Sequence, residues 1–128
     1  MAIAALAALP LTTMAQLPMP QEQTVDQLTF VNGGVTTDEA AFVRRIATHY
    51  PLRVVLAERD GSYSVADHVT VLHDGKAMGT IDDAGPWLLI KLPPGHYTLE
   101  ASFAGRTQRR DVDVATVGTT LQWLAPHS

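Results

Sequence analysis

The segment Trp87–Val114 restricts the chain to a β-rich fold, because it contains two tight turns joined by a stretch in which apolar and polar residues alternate. Pro94 fixes φ near the value that a type II turn requires, and Gly95 can supply the positive φ of the next position. Residues 96–103 then place apolar side chains on one face and polar side chains on the other, which is typical of a half-buried strand. Ala104-Gly105 predicts a two-residue hairpin into a second strand.

The register of this hairpin predicts two different faces. On the outer face Glu100 lies opposite Arg109, an ion pair worth a few tenths of a kcal/mol. The inner face pairs two apolar side chains with two cations: Leu99 with Arg110, and Phe103 with Arg106. Either a bulge shifts the register, or these arginines lie where the sheet opens.

The strand pattern predicts an antiparallel β-sandwich with frequent Gly and Pro turns. Trp87–Ile90 is apolar on both faces, which indicates a central strand, and residues 82–86 form a loop leading into it. Leu28–Val31 is a further candidate strand. Seven strands are predicted from Leu52 onward: 52–57, 69–72, 76–81, 87–90, 96–103, 106–114 and 119–124.

The dipeptide Asp74-Gly75 is a strong hairpin signal between two of these strands. A regular two-residue turn there places Val71 opposite Met78 and Val69 opposite Thr80. The inner side of this hairpin is therefore expected to be largely apolar.

One helix is predicted before the sandwich, at about 37–50. Thr36-x-x-Glu39 has the spacing of a capping box, apolar residues then recur every three or four positions, and Pro51 ends the helix. Gly33-Gly34 precedes the helix. It is interpreted as a tight strand-to-helix connection, with an anion site as the weaker alternative.

The stretch Leu92–Gly105 resembles the signature of carboxypeptidase regulatory-like domains, with Tyr97, Leu99 and Gly105 matching. The resemblance implies a seven-stranded, transthyretin-like (Ig-like) β-sandwich of a kind found in secreted and surface proteins. The helix-bearing segment upstream resembles small exported proteobacterial proteins that carry this domain alone and whose function is unknown. The resemblance implies a fold but no activity.

The chain of 128 residues is expected to contain three parts. Residues 1–15 resemble a secretory signal peptide, with an apolar run and a small-x-Ala site at Thr13-Met14-Ala15. Residues 16–27 are expected to form a flexible leader, and residues 28–128 one sandwich domain. We therefore expect export to the periplasm or beyond. The apolar run is too short for a transmembrane span.

Charge and cysteine content exclude several classes of function. The net charge is −4, which argues against nucleic acid as a partner. The absence of cysteine excludes disulfides, thiolate metal sites and a cysteine nucleophile. No serine occupies G-x-S-x-G, and His49, His68, His73, His96 and His127 show no metal-ligand spacing. We therefore expect no enzyme activity and no cofactor.

Weak ligand candidates remain. Asp82 and Asp83 could contribute oxygen ligands to calcium, although turn formation is the commoner role of such residues. Trp87, Trp123 and Tyr63 could stack on a sugar if exposed; Trp87 is expected in the core.

The expected function is a non-catalytic interaction or structural module of the cell envelope that binds another envelope protein. The alternative is a small-ligand protein for carbohydrate or metal. Edge strands could also support an oligomer.

Overall fold

The computed structural model describes residues 19–126, which form two β-sheets packed face to face and one helix. The segment 1–15, residues 16–18 and His127 lie outside the described residues. The nine strands are β1 (Gln23–Val25), β2 (Leu28–Gly33), β3 (Leu52–Ala57), β4 (Ala66–His73), β5 (Lys76–Ala84), β6 (Trp87–Lys91), β7 (Gly95–Phe103), β8 (Arg106–Val114) and β9 (Thr119–Leu124).

The strand order is β1-β2-β6-β3-β9 in the larger sheet and β5-β4-β7-β8 in the smaller one. All seven strands predicted from Leu52 onward are present. The seven-stranded sandwich that the resemblance implied is nevertheless wrong in its strand number, because the N-terminal hairpin β1–β2 raises the total to nine. The expected all-antiparallel pairing is wrong at one place, because β9 pairs parallel with β3. The chain crosses from the smaller sheet after β8 and reaches the larger sheet running in the same direction as β3.

The helix α1 spans Thr37–Ile46, and a 3₁₀ turn at Ala47–His49 completes the predicted helical segment. The predicted capping box is present in part: the Thr36 half forms as predicted, whereas the Glu39 side chain accepts from the two residues before Thr36. The hydroxyl of Thr36 accepts the N–H of Glu39 at 3.1 Å, and the Glu39 carboxylate accepts the N–H groups of Gly34 and Val35. The helix thus begins where the sequence indicates.

Two apolar clusters stabilise the fold. The main cluster fills the space between the sheets and includes Leu56, Leu88, Leu99 and Trp123, none of them measurably exposed. The second cluster lies between α1 and the outer face of the larger sheet, and its members include Val43 and Leu89. The helix is therefore a packing element that covers the β2–β6 half of this sheet.

Part of the predicted leader is ordered. Gln23–Val25 forms the edge strand β1, paired with β2. The carboxylate of Glu22 lies 2.9 Å from Lys91 Nζ and accepts the Tyr50 hydroxyl at 2.8 Å. Burial and the Glu22 carboxylate raise the pKa of Tyr50 to about 12. These contacts hold residues 22–25 against the sandwich, whereas the sequence predicted a flexible leader here.

The register between β4 and β5 differs from the prediction. A bulge next to Val71 shifts the pairing by one residue, so Val71 lies opposite Gly79 and Val69 opposite Ile81. The shift buries Ile81, which the unbulged register would have turned to solvent. β5 also continues to Ala84, so Asp82 and Asp83 end a strand and are not in a loop.

The register between β7 and β8 is the predicted one, with Glu100 opposite Arg109 and no bulge. Glu100 and Arg109 form an ion pair. Because β8 is an edge strand, its inward arginines reach the open side of the sandwich, which was one of the two alternatives. The turn before β7 is not type II. The φ of Gly95 is 159°, an extended value, because Gly95 pairs with Val114 as the first residue of β7.

Candidate functional site

The backbone of Asp82 and Asp83 takes part in a contact between the two sheets. The side-chain amide of Asn32 donates to the backbone oxygens of Asp83 at 2.9 Å and Asp82 at 3.4 Å, and Asn32 Oδ1 accepts the N–H of Gly85. Asn32 therefore fastens the end of β5 to β2. Within residues 19–126, no three His, Asp or Glu side chains are grouped as a metal site requires.

Trp123 is fully buried, although it lies on an edge strand. Its indole N–H donates to Gln108 Oε1 at 2.9 Å, and the Arg110 guanidinium lies 5.4 Å from the ring centroid. Trp123 thus offers no free face to a sugar. Trp87 is half-buried against the helix cluster, and its Nε1 has no hydrogen-bond partner among the described residues.

Two of the described histidines, His73 and His96, form surface contacts between strands. His96 Nδ1 lies 2.5 Å from Asp113 Oδ1, and this hydrogen bond to Asp113 raises the pKa of His96. His73 stacks against Tyr97 and lies 3.6 Å from Asp74. His73 and Asp74 are adjacent in sequence, and neighbours on a regular strand point to opposite faces. They approach because Asp74 has turned into the hairpin, with φ of 54°.

The N-terminus of α1 is not open to an anion. The N–H groups of Gly34 and Val35, just before the helix, already donate to the Glu39 carboxylate at 3.2 and 3.3 Å. A bound anion would have to displace this side chain against its charge. These hydrogen bonds therefore favour the interpretation of Gly33-Gly34 as a strand-to-helix connection over an anion site.

Three exposed apolar side chains lie at one end of the sandwich, and we call Val35, Tyr63 and Val65 the apolar strip. Their exposed fractions are 71%, 45% and 50%. The loop after β3 positions two of them: Tyr63 forms a bridge with Ala57, so its side chain lies on the outer face of the larger sheet. Ser64 between them is buried, so Tyr63 and Val65 both point outward.

Hydrogen bonds within the loop hold Tyr63 and Val65 in place. The N–H of Ser64 donates to Leu56 O, and Asp60 accepts both the N–H and the hydroxyl of Ser62. These bonds from Ser62 lower the pKa of Asp60. Tyr63 and Val65 are therefore presented by a hydrogen-bonded turn next to β3, and Val35 by the segment between β2 and α1.

Two depressions flank the strip. The first, of about 270 Å³, lies between Tyr63 and the start of α1, with Arg44 and the hydroxyl residues Thr36 and Thr37 in its wall. The second, of about 440 Å³, lies at the mouth of the sandwich between Val65 and the β7–β8 turn. Its wall includes Glu58 and Arg106 together with Phe103. The arrangement combines apolar surface with charges of both signs, which is typical of a binding surface.

Sequence reasoning found only part of this surface. Tyr63 was named as an aromatic able to stack, whereas Val35 and Val65 were not singled out. Val35 follows a Gly-Gly pair, and Val65 lies between two predicted strands, 52–57 and 69–72. Both positions would look unremarkable without knowledge that the β3 loop folds back toward the helix.

No protein-family model and no curated protein matches this chain. The only α-helix of the described part, α1, has ten residues and cannot cross a bilayer.

Proposed function

We propose that this chain is an exported, non-catalytic interaction module of the cell envelope and that it binds a protein partner through the apolar strip. The observation that carries the proposal is the exposure of Val35, Tyr63 and Val65 on a hydrogen-bonded frame at one end of the sandwich. Isolated exposed apolar residues are normal, but neighbouring ones beside polar rims favour docking. The signal-like start and the resemblance to carboxypeptidase regulatory-like domains support an envelope location.

The chemistry of the rim indicates the kind of partner. Arg44 and Arg106 lie on either side of the strip and Glu58 lies beside Arg106. A partner segment that presents an apolar side chain to Tyr63 and a carboxylate toward Arg44 would fit both features. Aromatic and arginine side chains are the residue types that most often dominate binding energy.

The test is a binding assay in envelope extract with three forms of the chain. The wild type should capture a partner saturably, and the double change Tyr63→Ser with Val65→Ser should weaken that binding by about tenfold or more. Val117→Ser is the matched control, because Val117 is 91% exposed in the turn before β9. Equal capture by all three forms would contradict the proposal, as would a hydrolytic activity that one substitution abolishes.

The second candidate function is carbohydrate binding in the depression beside Tyr63. It is favoured by one observation: a half-exposed tyrosine ring shares this depression with Arg44 and two threonines. Tyr63 replaces Trp123, which is buried, as the stacking residue. A glycan that binds the wild type and Val117→Ser but not Tyr63→Ala would favour this function over the protein partner.

A further inference from the structure

Three of the four sheet edges in the described part carry features that prevent pairing with another chain. β1 is only three residues long. β5 has a bulged register with β4, and the N–H of Gln27 donates across to Met78 O on this strand. β8 carries five charged side chains: Arg106, Arg109, Arg110, Asp111 and Asp113. Short length, bulges and charges are the usual means by which exposed edges avoid aggregation.

The fourth edge, β9, has none of these features. Its sequence is TTLQWL, six residues without a charge or a proline. Thr119 and Ala125 direct their N–H groups to Pro51 O and Ala57 O, on the β3 side. Because backbone groups alternate along a strand, Thr120, Gln122 and Leu124 direct their N–H and C=O groups away from the sheet. The same three residues have exposed side chains.

We propose that β9 pairs antiparallel with β9 of a second copy of this chain, about a two-fold axis at Gln122. In this register Gln122 lies opposite the partner subunit's Gln122, and Thr120 lies opposite the partner subunit's Leu124. All three residues then form hydrogen-bonded pairs, which gives about six main-chain hydrogen bonds across the axis. The two five-stranded sheets become one continuous sheet.

A second copy fits this edge because the edge is complementary to itself. A two-fold interface brings the same residues together, so a charge near the axis would repel its own copy, and β9 has none. The amide of Gln122 both donates and accepts, so two glutamines can satisfy each other. Leu124, 46% exposed in the single chain, gains cover from the threonine opposite. Pro126 lacks an N–H and ends the pairing edge.

The test is sedimentation equilibrium of the full chain over a range of concentrations. The wild type should approach twice the chain mass of 13.8 kDa. Gln122→Lys and Gln122→Glu should each weaken self-association by about tenfold or more, because like charges meet at the axis. An equimolar mixture of the two variants should restore the dimer. Val117→Lys, the same charge change outside β9, should associate like the wild type.

A second variant separates pairing from folding. Gln122→Pro removes an outward N–H that the β3 ladder does not use, so circular dichroism should show a folded monomer. A wild type that stays monomeric at every soluble concentration overturns the proposal. So does a dimer that tolerates Gln122→Lys and Gln122→Pro. A third outcome would overturn the assignment of a second copy as the partner. In it the wild type does not self-associate but binds a strand of another protein, and Gln122→Lys abolishes that binding.

Discussion

At the scale of single residues, the two tryptophans differ in one hydrogen bond. Trp123 donates to Gln108, whereas Trp87 Nε1 is buried without a partner among the described residues. Trp123→Phe should therefore lower the free energy of unfolding by about 1 kcal/mol more than Trp87→Phe, since it removes a hydrogen bond to Gln108 that Trp87 does not have. Urea unfolding of both variants measures the difference. An equal loss of unfolding free energy in the two variants would show that the lost side-chain volume, and not the hydrogen bond, determines the effect.

A second residue-scale prediction concerns the turn between β7 and β8. Ala104 has φ of 50° and Gly105 has φ of 85°, the pair of positive values that a type I′ turn needs. An alanine in this region is strained by roughly 1–2 kcal/mol. Ala104→Gly should raise the free energy of unfolding by about 1 kcal/mol, and Gly105→Ala should lower it by a similar amount. Thermal or urea unfolding measures both changes. A loss of stability in Ala104→Gly together with a gain in Gly105→Ala would exclude the I′ geometry.

At the scale of elements, the β7–β8 pair contains a pH-dependent contact. The hydrogen bond to Asp113 raises the pKa of His96 above its unfolded value near 6.5. The contact therefore stabilises the protein fully below that unfolded pKa, and its contribution disappears as pH rises through the folded pKa. The stability advantage of the wild type over Asp113→Asn should be larger near pH 6 than near pH 9.

Urea midpoints at the two pH values measure this advantage, and NMR titration of His96 locates its pKa. The His96→Gln background is the control, because there the effect of Asp113→Asn should no longer vary with pH in this range. An advantage that grows with pH would contradict the assigned contact.

The elements also show what the sequence could predict. Local turn chemistry was sufficient for Asp74-Gly75, for Ala104-Gly105 and for the capping box at Thr36. The bulge beside Val71 was not predictable, because it follows from burying Ile81 in a core that forms only in three dimensions. The parallel pairing of β9 was missed for a similar reason: no turn links it to β3.

At the scale of the whole molecule, the candidate site was less predictable than the fold. Trp123 was left as a residue that could stack on a sugar if exposed, yet Gln108, Arg110 and Phe103 cover it from the opposite sheet. Tyr63 is exposed because its loop folds back along β3. Such positions depend on contacts between residues distant in sequence, which periodicity does not encode.

The parallel pairing of β9 with β3 has a consequence for the order of folding. The larger sheet takes its two edges from opposite ends of the described chain, β1 at one side and β9 at the other. A nascent chain that stops before Thr119 lacks Trp123 in the core and leaves one side of β3 uncovered. The core between the two sheets is therefore complete only when β9 has paired with β3, a contact between residues far apart in sequence.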